Sequence, residues 1–119
     1  MRCIIAGSRQ GFHYHHLQKA IKQSGFVFDT VISGGARGVD NLGERYANNN
    51  NLKLDIYLAD WEHFGKSAGY IRNKEMADNA DMLIALHYNK SRGTQHMIDT
   101  MNDMGKPLFV MEKSDEQKI

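Results

Sequence analysis

Val27-Phe28-Asp29-Thr30-Val31-Ile32-Ser33-Gly34-Gly35-Ala36-Arg37-Gly38-Val39-Asp40 is the stretch that decides the fold. Val27 to Ile32 is rich in β-branched and aromatic residues, the composition of a strand. It runs straight into Ser33-Gly34-Gly35. Beyond Gly38, Val39, Leu42, Tyr46 and Ala47 recur at helical spacing. A strand, a glycine turn and an amphipathic helix, in that order, form the opening of a β-α-β unit.

The same alternation extends on both sides. Upstream, Cys3-Ile4-Ile5-Ala6 ends at Gly7, and Tyr14, Leu17, Ala20 and Ile21 mark a helix stopped by Gly25. Downstream, the Asn48–Asn51 turn leads to a strand over Leu54–Ala59. A loop over Asp60–Ala68 precedes a helix around Gly69–Asn79, and Met82–Leu86 reads as the fourth strand. A second loop, His87–Arg92, opens a helix marked by Met97, Ile98, Met101 and Met104 and stopped by Gly105 and Pro107. Leu108–Met111 reads as the last strand.

Apolar strands separated by amphipathic helices predict an α/β fold. It is Rossmann-like and doubly wound, with a mostly parallel five-stranded sheet and helices on both faces. The alternative is a mixed sheet with one antiparallel edge strand. Residues 1–111 are expected to form one domain, with 112–119 a charged, frayed tail.

Bulk properties narrow the function classes. The 119 residues carry 15 basic and 14 acidic side chains, a formal net charge of +1. That gives no global basic field for duplex nucleic acid. The lone Cys3 permits no internal disulfide and fits a reducing compartment. No apolar run approaches the roughly 20 residues that span a bilayer. A cytoplasmic protein without a membrane partner is expected.

In a parallel sheet, the loops leaving the strands' carboxyl ends share one edge, and ligands bind there. The unusual residues of this chain fall in those loops: Gly7, Ser8 and Arg9; Ser33, Gly34, Gly35, Arg37, Gly38 and Asp40; Asp60, Trp61, Lys66 and Ser67, with Arg72 and Asn73 one turn on; Ser91, Arg92, Gly93 and Thr94. Paired glycines let the backbone approach a ligand, and helix starts favour an anion such as phosphate. Arg37 adds a bidentate clamp. Arg72 calls for an anionic partner, either Glu75, Asp78 or a ligand. Each group also has a purely structural reading: a tight turn at the glycines, helix caps at Asp40, Ser91 and Thr94, and a ring covering the sheet edge at Trp61. His13, His15 and His16 have poor spacing for a metal, since His15 and His16 point about 100° apart on a helix. The Met97, Met101 and Met104 stripe is core or a dimer face.

Ser33-Gly34-Gly35-Ala36-Arg37-Gly38-Val39-Asp40 resembles the glycine-rich segment of the DprA/SMF proteins. Arg72-Asn73-Lys74-Glu75-Met76-Ala77, Ala80-Asp81-Met82-Leu83-Ile84-Ala85-Leu86 and Gly93-Thr94 resemble the central segment of the LOG phosphoribohydrolases. With Gly7-Ser8-Arg9 and His96-Met97-Ile98, the chain resembles the small YspA/YpsA-related branch of the SLOG superfamily, found in bacteria and phages, from about Met1 to Val110. The resemblance implies a nucleotide-binding domain. It places Arg72 where LOG enzymes keep a catalytic arginine. Where those enzymes keep a glutamate, three residues past Gly-Thr, this chain has Met97, which cannot act as a general acid. Lys90 and Ser91 replace their paired glycines.

The leading expectation is therefore a sensor or sequestering protein for a nucleotide-derived small molecule, without a required cofactor and assembled as a homodimer or higher homo-oligomer. The alternatives are a phosphoribohydrolase-like enzyme using Arg72, and a single-stranded DNA-binding module.

Overall fold

The computed structural model describes residues 1–113. Five strands are β1 (Arg2–Gly7), β2 (Thr30–Ser33), β3 (Lys53–Ile56), β4 (Met82–Tyr88) and β5 (Leu108–Lys113). The helices are α1 (Tyr14–Ser24), α2 (Val39–Asn49), α3 (Trp61–Phe64), α4 (Ala68–Asp78) and α5 (Arg92–Asp103), with a 3₁₀ turn at Gly65–Ser67. The sheet order is β3-β2-β1-β4-β5, and every pairing is parallel, edge strands included. The chain winds outward from β1 to β3, then crosses back to β4 on the other side of β1. The order thus reverses between β1 and β4.

Strand alternation divides the core into two layers. Cys3, Ile5, Val31, Ile84 and Leu86 face one side, with Leu17 and Ala20 of α1 and Val39 and Ala47 of α2. Ile4, Ala6, Ile32, Leu83 and Ala85 face the other, with Met76 and Ala77 of α4 and Met97 and Met101 of α5. Met97 and Met101 are buried and Met104 packs beside them, so the methionine stripe is core and not a dimer face. Burial and an apolar setting also push the Cys3 thiol pKa well up, as befits an inert core cysteine.

Several boundaries differ from those predicted, and register explains each. The expected strand Val27–Ile32 is instead Thr30–Ser33, because Thr30 pairs with Arg2 and β1 offers nothing to the residues before it; Val27 is exposed. The expected strand Leu54–Ala59 is Lys53–Ile56, because β2 ends at Ser33, the partner of Ile56. β4 and β5 run on to Tyr88 and Lys113, which pair with each other, so the expected tail loses residues 112 and 113 to the sheet. The rest of that tail, 114–119, lies outside the described residues. The expected loop Asp60–Ala68 contains α3 and the 3₁₀ turn, and the following helix is Ala68–Asp78.

Gly38 fixes how α2 meets β1. Its φ of 81° is a left-handed value, and a Cβ there would come within 2.5 Å of the Ser8 carbonyl oxygen and the Arg9 Cα. This contact lets the Val39 N–H donate to the Ser8 carbonyl at 3.1 Å.

Candidate functional site

A cleft of about 710 Å³ opens at the carboxyl edge of the sheet, between the ends of β1 and β4 where strand order reverses. Of the residues expected at a site, Gly7, Ser8, Arg9, Arg37, Asp40, Trp61, Lys66, Arg72, Asn73, Ser91, Gly93 and Thr94 line it. Sequence reasoning missed Gln10, Tyr70, Tyr88 and Asn89, which also line it. Asn89 and the neighbouring Lys90 have left-handed φ values of 51° and 53°, backbone that non-glycine residues seldom adopt and no sequence signal announced.

Seven expected residues stand elsewhere. Ser33, Gly34, Gly35 and Gly38 shape the β2–α2 turn behind the cleft and are not in its lining. The Ser33 hydroxyl donates to Glu44 at 2.8 Å and accepts the Gly35 N–H at 3.1 Å, which leaves it a turn brace. Asp60 caps α3, accepting the His63 N–H at 3.1 Å. Ser67 is exposed ahead of α4. Arg92 is also exposed and outside the cleft, against expectation. As the first residue of α5 it is rotated by about 100° per residue from Gly93 and Thr94, which take the cleft side.

Ser8 has a structural role as well. Its hydroxyl accepts the Tyr88 N–H at 2.7 Å and donates to the Tyr88 carbonyl at 3.3 Å, closing the β1–β4 seam where backbone pairing stops. The floor of the cleft is a polar network. The Arg72 guanidinium donates from Nη1 to the Gly34 carbonyl at 2.7 Å and the Tyr57 carbonyl at 3.3 Å. Its Nε donates to the Asn73 side-chain oxygen at 3.1 Å. So Arg72 is anchored by carbonyl dipoles rather than by Glu75 or Asp78; Asp78 pairs with Lys74 instead. Desolvation lowers the Arg72 pKa, and the nearby Asp40 charge raises it. Asn73 Nδ2 donates to the Gly93 carbonyl and to His96 Nδ1, both at 3.2 Å. The amide thereby ties the start of α5 to the arginine.

Asp40 is buried in the first turn of α2 and accepts the Ala36 N–H at 3.1 Å. Desolvation pushes its carboxyl pKa up to about 6, against the pull of that hydrogen bond and of Arg72. A Cβ at Gly34 would lie 2.7 Å from Arg72 Nη1 and 2.8 Å from Asp40 Oδ2, so only glycine lets the two groups approach from either side.

Two of the long helices that start at the cleft, α2 and α5, differ in what they offer an anion. The first N–H of α2 is taken by Ser8, and Asp40 sits in its first turn. α5 has no acid in its first turn; Ser91 caps it, and the space around Gly93 is open. The positive end of α5 is therefore the better anion seat.

The rings of His13, just before α1, and of His15 and His16 in its first turn gather closely, with His15 and His16 centroids 4.1 Å apart, contrary to the helical divergence expected of them. His16 Nδ1 is occupied as acceptor of the His13 N–H at 2.8 Å. Among the described residues no group of three His, Cys, Asp or Glu side chains could hold a metal ion. None of the described helices is long and apolar enough to cross a membrane.

No family model matches the chain, and no solved structure matches it. The Gene 61 protein of Mycobacterium phage D29 is 37% identical over 85 residues, covering 66% of this chain and 68% of that protein. At that identity and coverage, this α/β chain belongs to the family of the phage Gene 61 protein.

Proposed function

We propose that the chain binds a nucleotide or nucleotide-derived ligand in this cleft, as a sensor or a sequestering protein. One observation carries the reading. Arg9, Arg37 and Lys66 are exposed cations with no ion-pair or hydrogen-bond partner among the described residues, and they converge with Arg72 on a cleft where Asp40 is the one acidic residue among the described lining residues. Like charges gathered without counter-charges repel, and a phosphate relieves the repulsion. The start of α5, with Gly93 and Thr94, supplies the seat for that phosphate. Trp61 and Tyr70, both exposed and both lining the cleft, supply faces for a base. The resemblance to SLOG proteins points the same way.

The test is a thermal-shift panel of mononucleotides, NAD, ADP-ribose and cyclic nucleotides. A ligand at 100 times its Kd adds about 2.7 kcal/mol to stability, a shift of several degrees for a domain of this size. The Arg9→Ala/Arg37→Ala variant is expected to lose that shift. A folded protein that none of these ligands stabilises contradicts the proposal.

The Asp40 carboxyl favours one second reading, a phosphoribohydrolase-like enzyme. A buried carboxyl with a pKa of about 6 beside the cleft suits a general acid. Release of free base from a nucleoside monophosphate, abolished by Asp40→Asn, is its signature. Intact nucleotide after long incubation removes it. Buried Met97 lines the cleft where the LOG glutamate is expected, which favours binding over hydrolysis.

A further inference from the structure

Among the described residues the exposed large hydrophobic side chains are Met1, Val27, Ile56, Leu58, Trp61, Phe64, Tyr70 and Ile71. All but the first two lie between 56 and 71, and of these Trp61 and Tyr70 line the cleft. Such concentration in one segment, and not scatter, marks a surface that something covers. At its centre, every residue from 60 to 67 is exposed. The hydrogen bonds of this stretch among the described residues are local. Asp60 accepts from His63 and Phe64, Gly65 donates to Trp61, and Ala68 donates to Gly65. None reaches the sheet. The segment rests on α4, with the Trp61 ring over Gly69, where a Cβ would meet Cη2 at 3.4 Å. A stretch with local hydrogen bonds and little burial opens at low free-energy cost.

Two side chains of this segment reach the cleft, Trp61 and Lys66. Between them Gly65 has a left-handed φ of 55°, and no atom stands within 4 Å of where its Cβ would be. That is a joint with room to turn. One end thus carries a 58%-exposed indole and the other an ammonium with no partner among the described residues, 5 residues apart on either side of a glycine hinge.

We infer that residues 60–67 form a strap that closes on a base-bearing anion in the cleft, Trp61 covering the base and Lys66 meeting the anionic group. This rests on the nucleotide-binding reading above. Trp61 then determines specificity, because the cations and the α5 start hold any phosphate while the indole favours one that carries a base. Closure removes the indole from water and shields Lys66.

Trp61 is the only tryptophan in the chain, so tryptophan fluorescence, excited selectively over the five tyrosines, reports on the strap alone. The probes are AMP, GMP, CMP and UMP, with ribose 5-phosphate as the base-free control, and calorimetry measures binding independently. Saturation with a nucleotide that binds is expected to lower acrylamide quenching of Trp61 at least twofold and to slow tryptic cleavage after Lys66. Ribose 5-phosphate is expected to bind without either effect. Trp61→Ala is expected to weaken nucleotide binding about 5- to 150-fold, the range for loss of one base–aromatic stack, and to leave ribose 5-phosphate affinity unchanged. Trp61→Phe is expected to recover most of the loss. Unchanged ribose 5-phosphate affinity in Trp61→Ala shows that the variant's cleft is folded. Nucleotide binding with unaltered quenching, or with full affinity in Trp61→Ala, overturns the strap and leaves the binding function standing. Failure of all five probes to bind overturns the strap, and the binding function falls with it when NAD, ADP-ribose and the cyclic nucleotides also fail.

Discussion

At the scale of single residues, Asp40 makes the sharpest demand. Its pKa rises from 3.8 to about 6 in the fold, so the folded state binds a proton more tightly than the unfolded chain does. The sign follows: the contribution of this group to stability is fullest below pH 4 and is lost as the pH rises through 6. Asp40→Asn keeps an acceptor for the Ala36 N–H without the charge. It is expected to be more stable than the parent at pH 8, by up to about 3 kcal/mol, with the gap closed by pH 4. Denaturant melts of both proteins across that range measure it, and a variant less stable at pH 8 contradicts it. Gly38→Ala tests the seam between α2 and β1. The left-handed φ and the collision with Ser8 and Arg9 predict a loss of about 2–4 kcal/mol, read from the urea midpoint. The need for glycine at this position was legible in the Gly-Gly-Ala-Arg-Gly run. The partner it approaches was not, because that backbone lies some thirty residues away in sequence.

Elements show where local sequence stops being informative. The existence of the five strands and of α1, α2 and α5 followed from apolar runs and helical periodicity, whereas α4 carries almost no apolar period of its own. The strand ends did not follow, because strand length is set by the partner: β2 begins where Arg2 allows, and β4 continues to Tyr88 because β5 continues beside it. α3 was invisible, since four residues carry no measurable period. The start of α1 holds a pH-sensitive cap. His16 must accept the His13 N–H at Nδ1, which a protonated ring cannot do. Desolvation, then the neighbouring His15, Lys113, His13 and Lys19, lower the His16 pKa. The cap is therefore intact above pH 6.5 and lost as the pH falls below it. Amide exchange at the first turn of α1 is expected to accelerate, relative to its intrinsic rate, between pH 7 and 5. His16→Gln retains an acceptor and is expected to remove that change. At the start of α5, Asn73→Ala strands the Arg72 Nε and the Gly93 carbonyl. The expected cost is about 1–3 kcal/mol by denaturant melt, and a loss below 0.5 kcal/mol argues that water replaces the amide.

The whole molecule turns a reversal of strand order into a cleft. The sequence placed most of the lining correctly because loops at the carboxyl ends of parallel strands must share an edge, whatever their separation along the chain. It failed where a residue's side of a helix or turn decides its access. Arg92 is one residue from Gly93 yet outside the cleft, and Ser33, Asp60 and Ser67 serve turns and helix starts. Tyr70, Tyr88 and Asn89 went unnoticed because nothing in their local sequence distinguishes them from ordinary helix and strand-end residues. What remains at the cleft is a convergence of four cations, one buried carboxyl and exposed aromatic faces, and the account stands on that convergence binding an anion. The most direct measurement is an amide-correlation NMR titration with AMP and ADP-ribose. The account predicts saturable shifts at Gly7, Arg9, Arg37, Gly93 and Thr94, with the amides at the opposite sheet edge, such as Gly25 and Asn50, unmoved. An unshifted spectrum, or shifts confined to that opposite edge, contradicts it.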